Sequence, residues 1–276
     1  MSLGLGLGLS FERSAAAASL LSETTDWQTR VIANGGTVSA GTLSAVDTFI
    51  GTLKGAGLWT KLLRLNLFAG DQLAAALVPL VVGAGNSVDT NVNFVSGDYS
   101  QAMGLSGDGS TKYLNTGLAL NSATGGLSAY VRATMAAQAG YLMGVSANAG
   151  ADLYRMGKGA AGTFDMFWGQ SFAATKSETS IGGFYHGIRR GGSDMKWYRA
   201  GAQEAASVAA CTPAGLPTPA LFIFARNNGS GVAGVFLESG LKVAGYAVDD
   251  GTMSVAQETT WNSAWQALQA SLGRSV

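Results

Sequence analysis

The sequence contains few of the residues that most often carry chemistry. Its 276 residues include one cysteine, Cys211, one histidine, His186, and four prolines, and charged residues make up 12%. A single cysteine excludes an intrachain disulfide framework and a multi-cysteine metal site. The 17 basic and 17 acidic residues cancel, so the composition lacks the bulk positive charge that nucleic-acid binding uses. We therefore predict no cofactor, no metal ion and no nucleic-acid partner.

Long apolar runs are also missing. The stretch 73–85 is interrupted by Pro79 and is shorter than the roughly 20 residues that a membrane-spanning helix needs. The first ten residues alternate leucine with glycine and lack the basic start of a signal peptide. We expect an extended arm at this end rather than an export signal, and no membrane span.

The arm is predicted over residues 1–22. Leu3, Leu5, Leu7 and Leu9 recur with a period of two, so an extended strand places all four on one face. Glycine on the other face gives such a strand no core of its own. The arm must therefore lie on its own domain or on a neighbouring subunit.

Residues 23–83 are predicted to be helical. Asp26 is a candidate cap for a short helix through Val31. A second helix is expected to begin at Ser39 or Thr42, and a third short one to cover Leu58–Leu65. The second helix has one apolar stripe, formed by Leu43, Val46, Ile50 and Leu53, and Gly55 and Gly57 end it.

Residues 84–276 are predicted to form a mainly β, concanavalin A-like antiparallel jelly-roll sandwich that is closed by a C-terminal helix. Short apolar runs recur here between turn residues without intervening helices, which is typical of a sandwich. The runs are Lys112–Leu114, Leu127–Ala133, Tyr141–Val145, Thr163–Trp168, Phe184–Ile188, Met195–Arg199, Leu221–Ala225 and Leu241–Val248.

Turn and cap signals complete this region. Gly191–Asp194 and Asn228–Gly229 predict tight turns, the latter a type I′ hairpin. Ser254 and Gln257 have capping-box spacing at the start of the closing helix. The helix has an apolar stripe of Trp261, Trp265, Leu268 and Leu272.

Catalytic residues are not predicted. A glycosidase needs two carboxylates that flank the scissile bond, and the sole adjacent acidic pair, Asp249–Asp250, would point to opposite faces of a strand. We expect this pair in a solvated loop before the last helix. Asp108, between glycines, predicts an Asx turn rather than a metal ligand.

One cluster favours sugar binding. The predicted hairpin Tyr185–Arg199 combines aromatic rings with basic side chains, and such rings can stack on sugars while polar groups bind hydroxyls. The candidate glycan-binding residues are Trp168, Tyr185, His186, Arg189, Trp197 and Tyr198. The alternative is that Trp197 or Tyr198 belongs to the core and the arginines are solvated protection of a sheet edge.

Several segments between residues 25 and 272 are distinctive. They are Asp47–Trp59, Leu77–Val81, Asn93–Tyr99, Gly104–Asn115, Phe222–Arg226 and Lys242–Tyr246. Together they resemble virion structural proteins of tailed bacteriophages that carry a concanavalin A-like, laminin-G-like jelly roll. Trp197–Gln203 resembles a hairpin of such domains, with Ala200–Gly201 in place of the usual polar pair.

The resemblance implies a non-enzymatic virion component, which would be a tail-fibre, spike or head-decoration subunit. It would be made in the host cytoplasm, anchored to other virion proteins through its N-terminal arm, and assembled as a homotrimer. Its lectin-like domain would bind host surface polysaccharide. Two alternatives stay open: a purely structural virion or decoration protein without a ligand, and a jelly-roll glycan hydrolase.

Overall fold

The computed structural model describes residues 19–132, 140–147, 152–158, 163–169, 172–177, 182–208, 219–237 and 239–276. The arm leucines Leu3, Leu5, Leu7 and Leu9, and Cys211, lie outside these residues. The helices are α1 (Ser22–Ala33), α2 (Ala40–Gly55), α3 (Leu73–Ala76) and α4 (Val255–Ser271). The strands are β1 (Leu62–Asn66), β2 (Thr90–Val92), β3 (Tyr99–Ser100), β4 (Gly104–Ser106), β5 (Tyr113–Ala119), β6 (Gly125–Val131), β7 (Gly140–Ala147), β8 (Asp152–Lys158), β9 (Thr163–Gly169), β10 (Phe172–Ser177), β11 (Gly183–Gly191), β12 (Asp194–Arg199), β13 (Ala202–Ser207), β14 (Ala220–Ile223), β15 (Arg226–Asn227), β16 (Ala233–Gly234) and β17 (Lys242–Asp249).

Two sheets pack face to face, which confirms the predicted mainly β sandwich. Within the described residues, sheet A has the order β13-β12-β11-β6-β17-β4-β3, and β1 also pairs with β17. Sheet B has the order β10-β9-β8-β7-β14-β5-β2, and β15 joins it beside β7 in parallel. Side chains from both sheets form one buried core, among them Leu127, Tyr185, Trp197, Met156, Phe164 and Met166.

The helices cover the outer face of sheet A. A second buried cluster joins Trp261 and Trp265 of α4 and Phe49 of α2 to Tyr130 and Phe184 on that face. The chain therefore forms three layers, with the helices, sheet A and sheet B in that order. The outer face of sheet B is the face that α1, α2 and α4 leave uncovered.

The predicted N-terminal helices form, with one error at a boundary. The first helix begins at Ser22, so Asp26 is its fifth residue and not its cap. Ser39 caps α2, and its Oγ accepts a hydrogen bond from the Thr42 amide at 3.2 Å. The predicted apolar stripe of α2 is buried in the helical layer.

The third predicted helix, over Leu58–Leu65, is wrong. A short 3-10 turn at Trp59–Lys61 leads into β1, which pairs antiparallel with β17. Arg64 of β1 is fully buried, and it bonds Asp89 at 2.6 Å and the hydroxyl of Tyr246 at 2.8 Å. The predominantly helical segment thus contributes a strand and a buried ion pair to the sandwich.

Of the turn and cap signals in residues 84–276, three are confirmed and one is wrong. Ser254 and Gln257 form the predicted capping box of α4, and Asp108 accepts the backbone bonds of the predicted Asx turn. Gly191 pairs with Asp194 across the predicted tight turn. The Asn228–Gly229 prediction is wrong, because the Asn228 amide bonds the carbonyl of Val232 and the loop is longer than two residues.

Candidate functional site

The hairpin predicted to bind sugar forms as β11 and β12, but its rings are enclosed. Trp197 and Tyr185 are 0% exposed and Tyr198 is 5% exposed. The reason is that β11 and β12 lie between β6 and β13 in sheet A, so sheet B covers one side and α4 the other. The Phe164 ring lies 5.2 Å from Trp197, where a sugar would have to stack.

All six proposed glycan-binding side chains are buried in this way, so the expectation of exposed rings is wrong. They are Trp168, Tyr185, His186, Arg189, Trp197 and Tyr198. The alternative interpretation that Trp197 is a core residue is confirmed. Its second part, solvated arginines at a sheet edge, is wrong for Arg189, whose guanidinium is enclosed and donates to the Trp168 carbonyl at 3.4 Å.

His186 bridges two buried carboxylates. Its Nδ1 lies 2.6 Å from Glu258 of α4, and its Nε2 lies 2.8 Å from Asp249 of β17. Arg190 also bonds Glu258. Gly126 leaves the space for Asp249, because a Cβ there would lie 2.2 Å from its carboxylate oxygen. The predicted solvated loop at Asp249–Asp250 is therefore wrong for Asp249, which ends a buried strand.

This cluster holds charge in the interior without access for a substrate. Burial alone would lower the pKa of His186, but the charges of Glu258 and Asp249 outweigh it and raise the pKa to about 10. The imidazole is thus protonated at neutral pH and is only 1% exposed. The cluster stabilises the packing of α4 on sheet A, and it is not a candidate catalytic site.

A different group of polar and aromatic side chains lies on the outer face of sheet B. Direct strand partners place five residues in one line across β9, β8, β7, β14 and β5. We call this line the cross-strand row; it consists of Phe167, Arg155, Gly144, Phe222 and Asn115. Side chains alternate along each strand, so the neighbours of these residues, such as Met166 and Ile223, point into the core.

Arg155 occupies the aromatic part of the row. Its Cζ lies 3.9 Å from the Phe167 ring centroid and 4.6 Å from that of Tyr141, which a bulge in β7 places beside it. Asp165 lies 3.5 Å from its Nη2. Both rings are themselves buried, at 7% and 8% exposed, and together with the carboxylate they fix the orientation of this guanidinium.

Arg226 reaches the same ring from the other side of Gly144. It stands on β15, and its Cζ lies 5.8 Å from the Tyr141 centroid. The chain reaches this position through Phe224, a buried non-glycine residue in the left-handed region at φ 68°. Such backbone strain concentrates at functional sites, and here it brings Arg226 beside β7.

Partly exposed rings continue the surface beyond the row. Tyr113 of β5 stacks on Phe222 with ring centroids 4.6 Å apart, and Phe236 meets Tyr113 edge-on at 6.2 Å. Tyr113 and Phe236 are both partly exposed. The distance from β8 to β5 is three strand spacings, about 14 Å, which is longer than a single sugar ring.

Sequence reasoning missed Arg155, Arg226 and Tyr113 as site residues. One signal was available, since Arg155 and Phe167 each stand between apolar residues of a strand, at the positions that alternate with the core. The meeting of Arg155 with Arg226 had no local signal. Within the described residues, no group of three or more His, Cys, Asp or Glu side chains is placed to hold a metal ion.

The fold is similar to several solved β-sandwich proteins. A crystal structure of an HCR/D mutant superposes with a TM-score of 0.51 at 9% identity, over 74% of this chain and 51% of that one. A Trypanosoma rangeli sialidase mutant that displays trans-sialidase activity gives a TM-score of 0.49 at 14% identity, over 82% of this chain and 39% of that one. The chain thus spans about two fifths of the length of that sialidase.

A smaller carbohydrate-binding module is also similar. The Ruminococcus gnavus IT-sialidase CBM40, bound to α2,3-sialyllactose, gives a TM-score of 0.40 at 12% identity, over 52% of this chain and 84% of that one. At these identities the likeness concerns the fold alone. No protein-family model and no curated protein matches the sequence. No helix in the described part of the chain is long and apolar enough to cross a membrane.

Proposed function

We propose that this chain is a non-enzymatic virion component of a tailed bacteriophage, whose β-sandwich binds host surface glycan on the outer face of sheet B. The observation that carries the binding role is the pair of half-buried guanidinium groups held over the buried Tyr141 ring, on the same face as the partly exposed Tyr113. Sugars present apolar C–H faces and hydroxyl groups, and a surface with both rings and fixed polar groups suits them.

The position of this surface supports the assignment. The helices cover sheet A, and the enclosed hairpin offers no ring face to a ligand. The outer face of sheet B instead offers the half-buried guanidinium groups and the partly exposed Tyr113 and Phe236, since the rings of the row itself are buried. The virion role rests on the sequence resemblance of segments such as Asn93–Tyr99 and Gly104–Asn115.

The chemistry of the row supports binding rather than hydrolysis. A glycosidase needs a pair of carboxylates about 5–9.5 Å apart. Among its described side chains, the surface around Arg155 offers Asp165, which already lies 3.5 Å from that guanidinium. Asp249 and Glu258 form another pair of acidic residues, but both carboxylates contact His186 in the sealed cluster.

The binding role can be tested on an array of bacterial surface polysaccharides with the full chain. Tyr113→Ala removes a ring from the surface, and the loss of one aromatic contact costs about 0.5–1.5 kcal/mol beyond the lost area, which is a several-fold loss of affinity. Trp59→Ala is the matched control, because Trp59 is also partly exposed but lies on the helical side. Equal binding by both variants and the parent would contradict this surface assignment.

A second candidate, a structural virion protein without a ligand, has one observation in its favour. An open apolar groove of about 260 Å³ runs between α2 and α4 and is lined by small side chains such as Ala45, Ser263 and Ala267. A groove of this kind suits a contact with another protein. Assembly into particles by a folded protein that binds no polysaccharide would favour this candidate.

A further inference from the structure

The two arginines of the outer surface are held close together by a glycine. Gly144 separates them, and a Cβ at this position would lie 3.1 Å from Cβ of Arg155 and 3.2 Å from Cγ of Arg226. Both arginine stems therefore pass beside the bare backbone of Gly144. Their guanidinium groups then meet the same Tyr141 ring.

Positive charge exceeds negative charge at this point. Asp165 accompanies Arg155, whereas among the described residues no carboxylate lies within ion-pair distance of Arg226. The Nε atoms of both arginines are buried and have no hydrogen-bond partner in the described part of the chain. Arg132 and Arg274 share this feature, so what distinguishes Arg155 and Arg226 is that two arginines face one ring with, among the described residues, a single carboxylate between them.

The two cations also disfavour each other. Burial lowers the pKa of Arg155, and the nearby charge of Arg226 lowers it further, against the opposite effects of Tyr141 and Asp165. An anion that bound between the two guanidinium groups would supply the missing negative charge. The planar fork of a guanidinium suits the oxygen atoms of carboxylate, sulfate or phosphate.

We propose that Arg155 and Arg226 bind an anionic substituent of the sugar, so that the ligand of this surface is an acidic polysaccharide. This inference rests on the proposed glycan-binding function and names its ligand class. The rings of Tyr113 and Phe236 lie further along the same face and contact neighbouring sugar units. Gly144 is a positioning residue, because its missing side chain allows the two arginines to approach.

The test uses the full chain and an array of matched oligosaccharide pairs. Each pair consists of an oligosaccharide that carries a uronic acid, sialic acid, sulfate or phosphate group, and the same oligosaccharide without that charged group. We expect the charged members to bind at least about tenfold more tightly, since a hydrogen bond to a charged group contributes about 1.5–3 kcal/mol. The group that binds identifies the source of the anion.

Three variants assign the effect to the site. Arg226→Gln and Gly144→Ala should each weaken binding of the charged members by about tenfold or more, and should weaken binding of the neutral members by a clearly smaller factor. Lys54→Gln is the control, because it removes the same charge from an exposed position on α2 in the helical layer. Far-UV circular dichroism and thermal melting verify that each variant is folded.

The outcomes separate the two claims. Equal affinity for charged and neutral members overturns this inference and leaves the proposed function standing. Binding of charged members that Arg226→Gln and Gly144→Ala do not weaken overturns the assignment to this pair. A folded chain that binds no member of any pair overturns both the inference and the proposed function.

Discussion

The Nδ1 atom of His186 lies 2.6 Å from Oε2 of Glu258, a contact that joins the interior of sheet A to α4. The opposite ring nitrogen lies 2.8 Å from Asp249. Both nitrogens can donate only when the ring is protonated. The single histidine of the chain is therefore a buried cation on β11 that links α4 to β17, which lies beyond β6 in the sheet.

This arrangement predicts a loss of stability at alkaline pH. The pKa of His186 is raised from 6.5 to about 10 in the folded protein, so its contribution is complete below about pH 6.5 and is lost as the pH rises towards 10. The free energy of unfolding should fall over this range by up to about 1.4 kcal/mol per pH unit. Urea unfolding at constant ionic strength measures it.

His186→Gln is the control for that measurement. It removes the titrating group and leaves the buried Asp249 without its cation, while Glu258 keeps Arg190, so the variant should be less stable at neutral pH and show a shallower pH slope. An unchanged slope in the variant would assign the pH dependence to other groups.

The two arginines of the outer surface should respond oppositely to substitution. Arg226→Gln should leave the free energy of unfolding unchanged or raise it, because it removes a cation that repels Arg155. Arg155→Gln should lower it by about 1–3 kcal/mol, because Asp165 loses the cation 3.5 Å away. Chemical denaturation without ligand measures both. A large destabilisation by Arg226→Gln would indicate a structural role.

The turn between β12 and β13 can be improved. Ala200 and Gly201 both have positive φ, 46° and 79°, and this conformation favours asparagine over alanine in a two-residue hairpin. Ala200→Asn should raise the free energy of unfolding by about 0.5–1 kcal/mol, part of the cost of a left-handed alanine. Ala202→Asn, at an exposed position of the adjoining strand, should bring no gain. A fall in melting temperature for Ala200→Asn would contradict the argument.

Deletion of residues 2–18 should separate folding from assembly. The leucine–glycine arm has no core of its own, and the truncated protein keeps Leu21, whose amide donates to Asp47 of α2 at 2.7 Å, so it should keep its melting temperature. Without the leucine–glycine arm it should no longer enter particles, as co-purification with virions would report. Normal incorporation of the truncated chain into particles would contradict an anchoring role for the arm.

The oligomeric state provides a separate test. Charged residues make up only 12% of the chain, and closed cyclic symmetry is the usual way for a chain to bury broad neutral surface. The resemblance to phage fibre proteins implies three subunits, so we expect a homotrimer in solution. Analytical ultracentrifugation measures the mass, and a monomer at micromolar concentration would refute the expectation.

The elements that the sequence predicted well are those with local signals. The Ser39 cap and the apolar stripe mark α2, and the capping box of Ser254 marks α4. The segment Leu62–Asn66 was misassigned, because its strand character depends on pairing with β17, which follows about 180 residues later. A short apolar run does not show by itself whether distant partners will stabilise it as a helix or as a strand.

The surface proposed to bind glycan was harder to predict for the same reason. Trp197 and Arg189 have the composition of a sugar site, but burial is decided by the position of their strands inside sheet A. Arg155 and Arg226 become neighbours only through the parallel pairing of β15 with β7. The sequence between them, 70 positions long, contains no sign of that contact.

The order of the layers also places the described chain ends and the cross-strand row on opposite sides of the molecule. Leu21 is bound to α2, while the Val276 amide donates to the hydroxyl of Tyr130 at 3.2 Å, beneath the helices. Both ends of the described chain thus leave from the helical layer, opposite the cross-strand row. A subunit tethered by either end would display the row outward, and several subunits on one support would face the same way. A long polymer could then engage them together, and its residence time would grow through effective concentration without any new contact.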